Sequence, residues 1–95
     1  MNSSTAVELS EPIGAELLAV AADPVRWRLL AALSDGSLCV CQLQPAARVS
    51  APALSHHLRV LREAGLVVAA RRGRWIDYTL CPDAVGRLRD ALPFA

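Results

Sequence analysis

The sequence predicts a mainly α (α+β) domain in which four helices are followed by two strands and a closing helix, the order ααααββα. Three observations carry this expectation. Apolar residues recur at helical spacing in separate segments, each bounded by capping residues. Two short runs of β-forming residues flank an Arg-Gly-Arg tip. The interior is built from Leu, Val and Ala, since 54% of the 95 residues are apolar and only 4% aromatic. A chain of this length supports one modest core and not two.

Residues 1–11 are polar and unpatterned and are expected to form a mobile N-terminal tail, leaving 12–95 as the folded unit. Ile13, Leu17, Leu18 and Ala21 then fall on one helical stripe. Asp23-Pro24 opens a second helix, with aspartate as N-cap and proline at the first helical position, where its missing N–H costs nothing. Val25, Leu29, Leu30 and Leu33 continue that helix, and Gly36 is its stop signal. A third helix is expected from about Leu38. Pro45 clashes with the carbonyl of Cys41 and disfavours helical geometry at Gln44, so this helix is expected to kink or end just after the cysteines. Ser50 is the next N-cap, for a helix from Ala51 to about Ala64 that closes at Gly65. Val67–Ala70 and Trp75–Leu80 form an antiparallel hairpin around Arg71-Arg72-Gly73-Arg74, with Gly73 supplying the tight turn. Cys81-Pro82-Asp83 starts the last helix, with Val85, Leu88 and Leu92 along one side. Helices three and four, joined by a short turn and followed by a basic hairpin, make a winged helix-turn-helix.

Charge is unevenly distributed. The net charge is +1 overall, but residues 1–47 carry −3, residues 48–74 carry +5 and residues 75–95 carry −1. Every cation in the central stretch is arginine, whose planar fork suits phosphate and guanine edges. On a helical wheel of residues 51–64, Leu54, Leu58 and Leu61 lie within about 60° of one another and should face the core. Pro52, Ser55, His56 and Arg59 lie on the other side, near the helix N-terminus, as in a helix that enters a major groove. Ser50 and Arg62 flank this face. His57 points to the edge of the leucine stripe and is expected to be structural. Arg71, Arg72 and Arg74 at the wing tip suit the phosphate backbone or a minor groove. A solvated basic surface is the alternative for both features. One helix and one wing cover few base pairs, so a homodimer is expected on double-stranded DNA. The apolar stripes of the first and last helices are the candidate seam.

Three segments carry a family resemblance. Ala22–Leu30, Leu38-Cys39-Val40-Cys41-Gln42-Leu43 and, above all, Ser50–Val67 resemble the ArsR/SmtB family of metal-responsive winged-helix regulators. The resemblance covers about residues 13–92. It implies a homodimeric repressor on a palindromic operator, released by a metal ion or metalloid. It also implies that Cys39 and Cys41 correspond to a thiolate metal-binding box. The family's arsenic-responsive members commonly carry a third cysteine three residues after the second, where this chain has Gln44. Another family site, built from aspartate and histidine on the last helix, has no histidine here within residues 82–95.

Thiolates prefer soft ions, so As(III), Sb(III), Cd, Pb and Zn are the candidate effectors. On a regular helix, positions two apart differ by about 200°, so both sulfurs meet one ion only where the helix start is unwound. Cys81 is either a further ligand, from the same subunit or its partner, or a small apolar residue where strand meets helix. The odd cysteine count does not make a disulfide framework, and a cytoplasmic location would keep the thiols reduced. The alternative is a DNA-binding regulator that does not sense through these cysteines, its response coming from other ligands, for example for nickel or zinc, or from a partner protein. The sequence contains no Gly-rich phosphate loop and no HExxH motif, so catalysis is not expected. A winged fold used only for protein contacts is disfavoured by the segregated arginines. No apolar run approaches a membrane span, and no signal peptide is evident.

Overall fold

The computed structural model describes residues 14–94. The expected tail at 1–11 lies outside the described residues, as does Ile13. Residues 14–22 are helical (α1), followed by α2 (Pro24–Leu33), β1 (Leu38–Cys39), α3 (Val40–Ala47), α4 (Ala51–Glu63), β2 (Val67–Arg72), β3 (Trp75–Leu80) and α5 (Ala84–Ala91). The helix-turn-helix, the wing and the closing helix occur in the expected order.

The caps act as the sequence implies. The Asp23 carboxylate accepts from the backbone N–H groups of Val25 (2.8 Å) and Arg26 (3.1 Å), satisfying donors that the first turn of α2 leaves unpaired. Ser50 caps α4 by accepting from Ala53 N–H at 3.3 Å. Gly65 ends α4 with a φ of 75°.

Two expectations are corrected between Leu38 and Ala47. The third helix starts at Val40, and Leu38-Cys39 form a short strand that pairs antiparallel with β3, Leu38 opposite Tyr78 and Cys39 opposite Asp77. The sheet therefore has three strands in the order β1-β3-β2. A two-residue strand leaves too short a pattern to be recognised in sequence; it forms because β3 offers an unpaired edge. The helix also does not end before Pro45 but continues to Ala47. Leu43 and Ala47, on either side of the proline, are fully buried. Their packing outweighs the one helix bond that proline forfeits.

The core joins α2, α3 and α4 with the base of the wing through Leu29, Leu33, Leu43, Leu54, Leu61 and Leu66. Three arginines tie helix ends to this core. Arg26 donates to Val20 O near the end of α1 (2.6 Å), and Arg28 to Ala46 O (3.3 Å) and Ala47 O (2.8 Å) at the end of α3. Arg87 reaches from α5 to Gly65 O (2.7 Å) and Ala64 O (2.9 Å) at the end of α4. Carbonyls at helix C-termini lack intrahelical partners and lie at the negative end of the helix dipole, so cationic donors satisfy both needs.

Gly65 is required twice over. Its φ is left-handed, and a Cβ built there comes within 2.8 Å of Arg87 Nη1. Gly65→Ala is expected to destabilise the fold by about 1–3 kcal/mol, read as a lowered midpoint in thermal or urea unfolding. Gly86→Ala, where a Cβ meets open space, should not destabilise and is the control.

Candidate functional site

The leucine stripe of α4 fixes which face of that helix looks outward. Leu54, Leu58 and Leu61 are buried, and Ser50, Pro52, Ser55, His56, Arg59 and Arg62 are all exposed. His56 and Arg59 lie together, with Arg59 Nη2 3.4 Å from His56 Nδ1. The second histidine behaves differently. His57 Nδ1 lies 3.0 Å from Arg26 Nη1 and 3.9 Å from Asp23 Oδ1, in the joint between α2 and α4. As expected, His57 is structural. The turn before α4 is held by Arg48 in the left-handed region (φ 58°) and by the Gln44 side-chain amide, which donates to Val49 O.

The wing projects from the body. Val67 is buried, and Val68 to Ile76 are all exposed. Its two-residue tip, Gly73-Arg74, turns on a φ of 62° at Gly73. The three wing arginines are not equivalent. Arg72 makes a forked ion pair with Asp77, at 2.7 and 3.2 Å, and this exposed pair holds the Asp77 carboxyl below its ordinary value. Arg71 reaches Gly73 O at 3.5 Å. Arg74 forms no ion pair with any described residue. Hairpin pairing contained the signal for Asp77: Ala70 stands opposite Asp77 and Arg72 opposite Trp75, which makes Arg72 and Asp77 diagonal neighbours on one face.

The cysteines differ most from expectation. Cys39 is the N-cap of α3, with extended backbone (φ −83°, ψ 169°), and Gln42 Oε1 accepts its N–H at 2.9 Å. Because Cys39 stands outside the helix and Cys41 inside it, the 200° separation does not apply. Their Cα atoms are 5.5 Å apart and the pair is joined as a disulfide, correcting the expectation of free thiols. That separation lies in the ordinary disulfide range. Cys81 is free and packs against the core just after β3. Among the described residues, no group of three or more His, Cys, Asp or Glu side chains is placed to hold a metal ion. Within one chain, the reduced pair therefore supplies two soft thiolate donors with no third protein ligand. That set fits an ion or metalloid whose remaining positions are filled by non-protein groups.

Beside α5 lies an almost wholly apolar groove lined by Ala21, Trp27, Leu30, Leu80, Val85 and Leu88. Val85, Leu92 and Phe94 are exposed along the same helix and its end. No helix among the described residues is long and apolar enough to cross a membrane.

Comparison with known proteins places this geometry in context. A family model described as bacterial regulatory protein, arsR family, matches residues 23–68. A transcriptional repressor SmtB homolog of Synechocystis is 46% identical over 78% of this chain and 56% of its own length. The arsenical resistance operon repressor of Escherichia coli K12 is 41% identical over 70% of this chain and 58% of its own. The chain thus spans less than three-fifths of these two curated relatives. A crystal structure titled as a possible transcriptional regulator for arsenical resistance superposes with a TM-score of 0.73, at 43% identity, covering 78% of this chain and 77% of that one.

The α2–α4 joint predicts a pH response. Burial pushes the His57 imidazole below its ordinary value, Asp23 opposes this, and Arg26 reinforces it. A folded-state value below the unfolded one means that the unfolded chain binds the proton more readily. The contribution of His57 is therefore fully present above about pH 6.5 and lost as pH falls through the lowered folded value. Thermal unfolding between pH 7.5 and 5 should show stability declining towards acid, and His57→Gln should flatten that decline. The Asp23 carboxyl is lowered chiefly by the Arg26 N–H, so its contribution is lost only below about pH 4, outside that window.

Proposed function

The chain belongs to the arsR family of bacterial regulatory proteins, and from that premise we propose that it is a sequence-specific DNA-binding transcriptional repressor. The observation that carries this reading is the division of α4. Its leucines are locked into the core, and its N-terminal Ser55, His56 and Arg59 are presented to solvent beside an arginine-tipped wing. Short polar, imidazole and guanidinium groups on one exposed helix face suit base edges in a major groove. Arg62 and the wing arginines suit phosphates.

The repressor acts as a homodimer on a palindromic operator, in the cytoplasm where the DNA is. Two copies double the short stretch that one helix and wing can read. The apolar groove beside α5 supports a seam along the first and last helices, since an exposed apolar surface of this kind favours a partner.

The Cys39–Cys41 pair is its sensor, and a thiophilic metal or metalloid the signal. When bound, such a species supplies a soft electrophilic centre suited to two thiolates. The names of the relatives, one an arsenical resistance operon repressor, support an effector of this class. The link to DNA runs through the sheet. Cys39 stands opposite Asp77, Asp77 holds Arg72, and Ser37 and Thr79 share a 2.6 Å hydrogen bond beside them. Rearrangement at the start of α3 is therefore transmitted to the wing. The effector lowers DNA affinity only to the extent that it binds the DNA-free form more tightly; a tenfold preference supplies about 1.4 kcal/mol per site. The second reading, a regulator whose response does not pass through these cysteines, is favoured by Gln44 and by the missing third ligand.

Operator binding tests the DNA reading, using duplexes selected from a random library. Arg59→Ala should cost about 1–3 kcal/mol and relax base discrimination. Arg74→Ala should weaken binding to all sequences and reduce the log–log salt slope by about 0.9 if one phosphate contact is lost. Arg72→Ala should change the slope less, because its charge is already shared with Asp77. Unchanged affinity, discrimination and slope in all three variants would refute the interface.

The sensing reading has its own test. Reduced protein titrated with arsenite, cadmium or zinc should release the operator, and the double variant Cys39→Ser, Cys41→Ser should not respond. A double variant that responds as the parent does assigns the response elsewhere.

A further inference from the structure

The start of α3 and the first residues of β3 enclose a cleft of about 460 Å³, lined by Cys39 and Cys41 together with Val40, Arg74, Trp75 and Ile76. Its volume falls in the ~300–1,000 Å³ range of small-molecule sites. Val40, Trp75 and Ile76 are large apolar side chains left 39%, 49% and 37% exposed. The thiol pair therefore sits beside an apolar wall that neither the outward face of α4 nor the wing arginines explain.

The count of donors narrows what fits. Gln44 also borders the cleft, but its side-chain amide is committed to Val49 O. No third His, Cys, Asp or Glu among the described residues joins the two sulfurs. A trivalent arsenic centre held by two sulfurs keeps one further substituent. In inorganic arsenite that substituent is a hydroxyl, which an apolar wall desolvates without replacing its hydrogen bonds. In a monosubstituted organic arsenical it is a carbon group, which gains by covering Trp75, Ile76 and Val40.

We propose that this cleft is a binding site for a trivalent organic arsenical, R–As(OH)2, with the two cysteines on arsenic and the aryl or alkyl group R against Trp75 and Ile76. The proposal rests on the thiol-sensing reading above and narrows its effector from a bare ion to an organic metalloid.

The chemistry balances without a redox change at arsenic. Two thiols of a cellular thiol reductant first open the Cys39–Cys41 disulfide and leave as their own disulfide. Each freed cysteine then displaces one hydroxyl from arsenic. Two As–S bonds form, two As–O bonds break, and two waters leave carrying the thiol protons. The carbon–arsenic bond stays intact. Arg74 and Trp75 belong to the wing, so a ligand wedged between them and α3 acts directly on the element that meets DNA.

The test is a competition between ligands. Protein reduced with a phosphine, then freed of it, is titrated with phenylarsonous acid, its methyl analogue and arsenite. Adducts are read by intact mass in competition with dithiothreitol. The same titration of a Cys-Val-Cys peptide supplies the preference inherent in any such dithiol. The protein is expected to favour the phenyl compound over arsenite at least tenfold more than the peptide does. The double variant Trp75→Ala, Ile76→Ala should lose that excess while binding arsenite within about twofold of the parent, and Trp75→Phe should retain it. In a Trp27→Phe background, phenyl binding should also change the fluorescence of Trp75. A preference equal to the peptide's, or one that survives the double alanine change, overturns the proposal. A change of oligomeric state in the double variant, with preference intact, assigns the wall to a second copy instead. If the parent forms no adduct at Cys39 and Cys41 with either compound, the thiol-sensing reading falls as well.

Discussion

Burial of Leu54, Leu58 and Leu61 against α2 and α3 is the constraint on which the rest of the molecule depends. A helix of thirteen residues has only one face to give to the core, and these leucines claim it. Once they are seated, rotation of α4 by even one residue, about 100°, brings polar or charged groups inward and leucine into water. The same seating presents Ser55, His56 and Arg59 outward. The outward face is thus held rigid by interactions it takes no part in, as a surface that must match a groove requires.

Around that helix the arginines divide into two populations with different physics. Arg26, Arg28 and Arg87 are half-buried and spend their donors on the carbonyls that end α1, α3 and α4. They join elements distant in sequence and bring charge complementary to the helix dipoles. Arg59, Arg62, Arg71 and Arg74 are exposed and keep their charge available. Arg72 lies between the two groups, exposed but neutralised by Asp77. The positive field of the wing therefore rests more on Arg71 and Arg74 than a count of its arginines suggests.

The two-residue strand β1 joins the cysteine pair to the wing. Its pairing with β3 makes the start of α3 continuous with the sheet that carries the wing tip. A disturbance at Cys39 need not pass through the packed helices to reach the wing arginines. It has one strand to cross. The adjoining cleft places Arg74, Trp75 and both cysteines around one space.

Most of the fold was legible in the sequence because its signals are local. The Asp23 and Ser50 caps, the stop at Gly65, the leucine spacing of α4 and the glycine turn of the wing each act within a few residues, and each appears where the sequence placed it. The exposed faces of α4 and the wing followed from the same periodicity, and so did the structural character of His57. What escaped was set by partners distant along the chain. Leu38-Cys39 become a strand only because β3 presents an edge. Pro45 is tolerated within α3 only because Leu43 and Ala47 are buried on either side of it. The third helix therefore begins two residues later than its own residues suggested, which turns two cysteines from opposite sides of a helix into neighbours. Local chemistry determined which elements form and which faces they show. Tertiary packing decided where α3 begins, which arginines keep a free charge, and which side chains surround the sulfurs, because each of these depends on atoms brought together only when the chain folds.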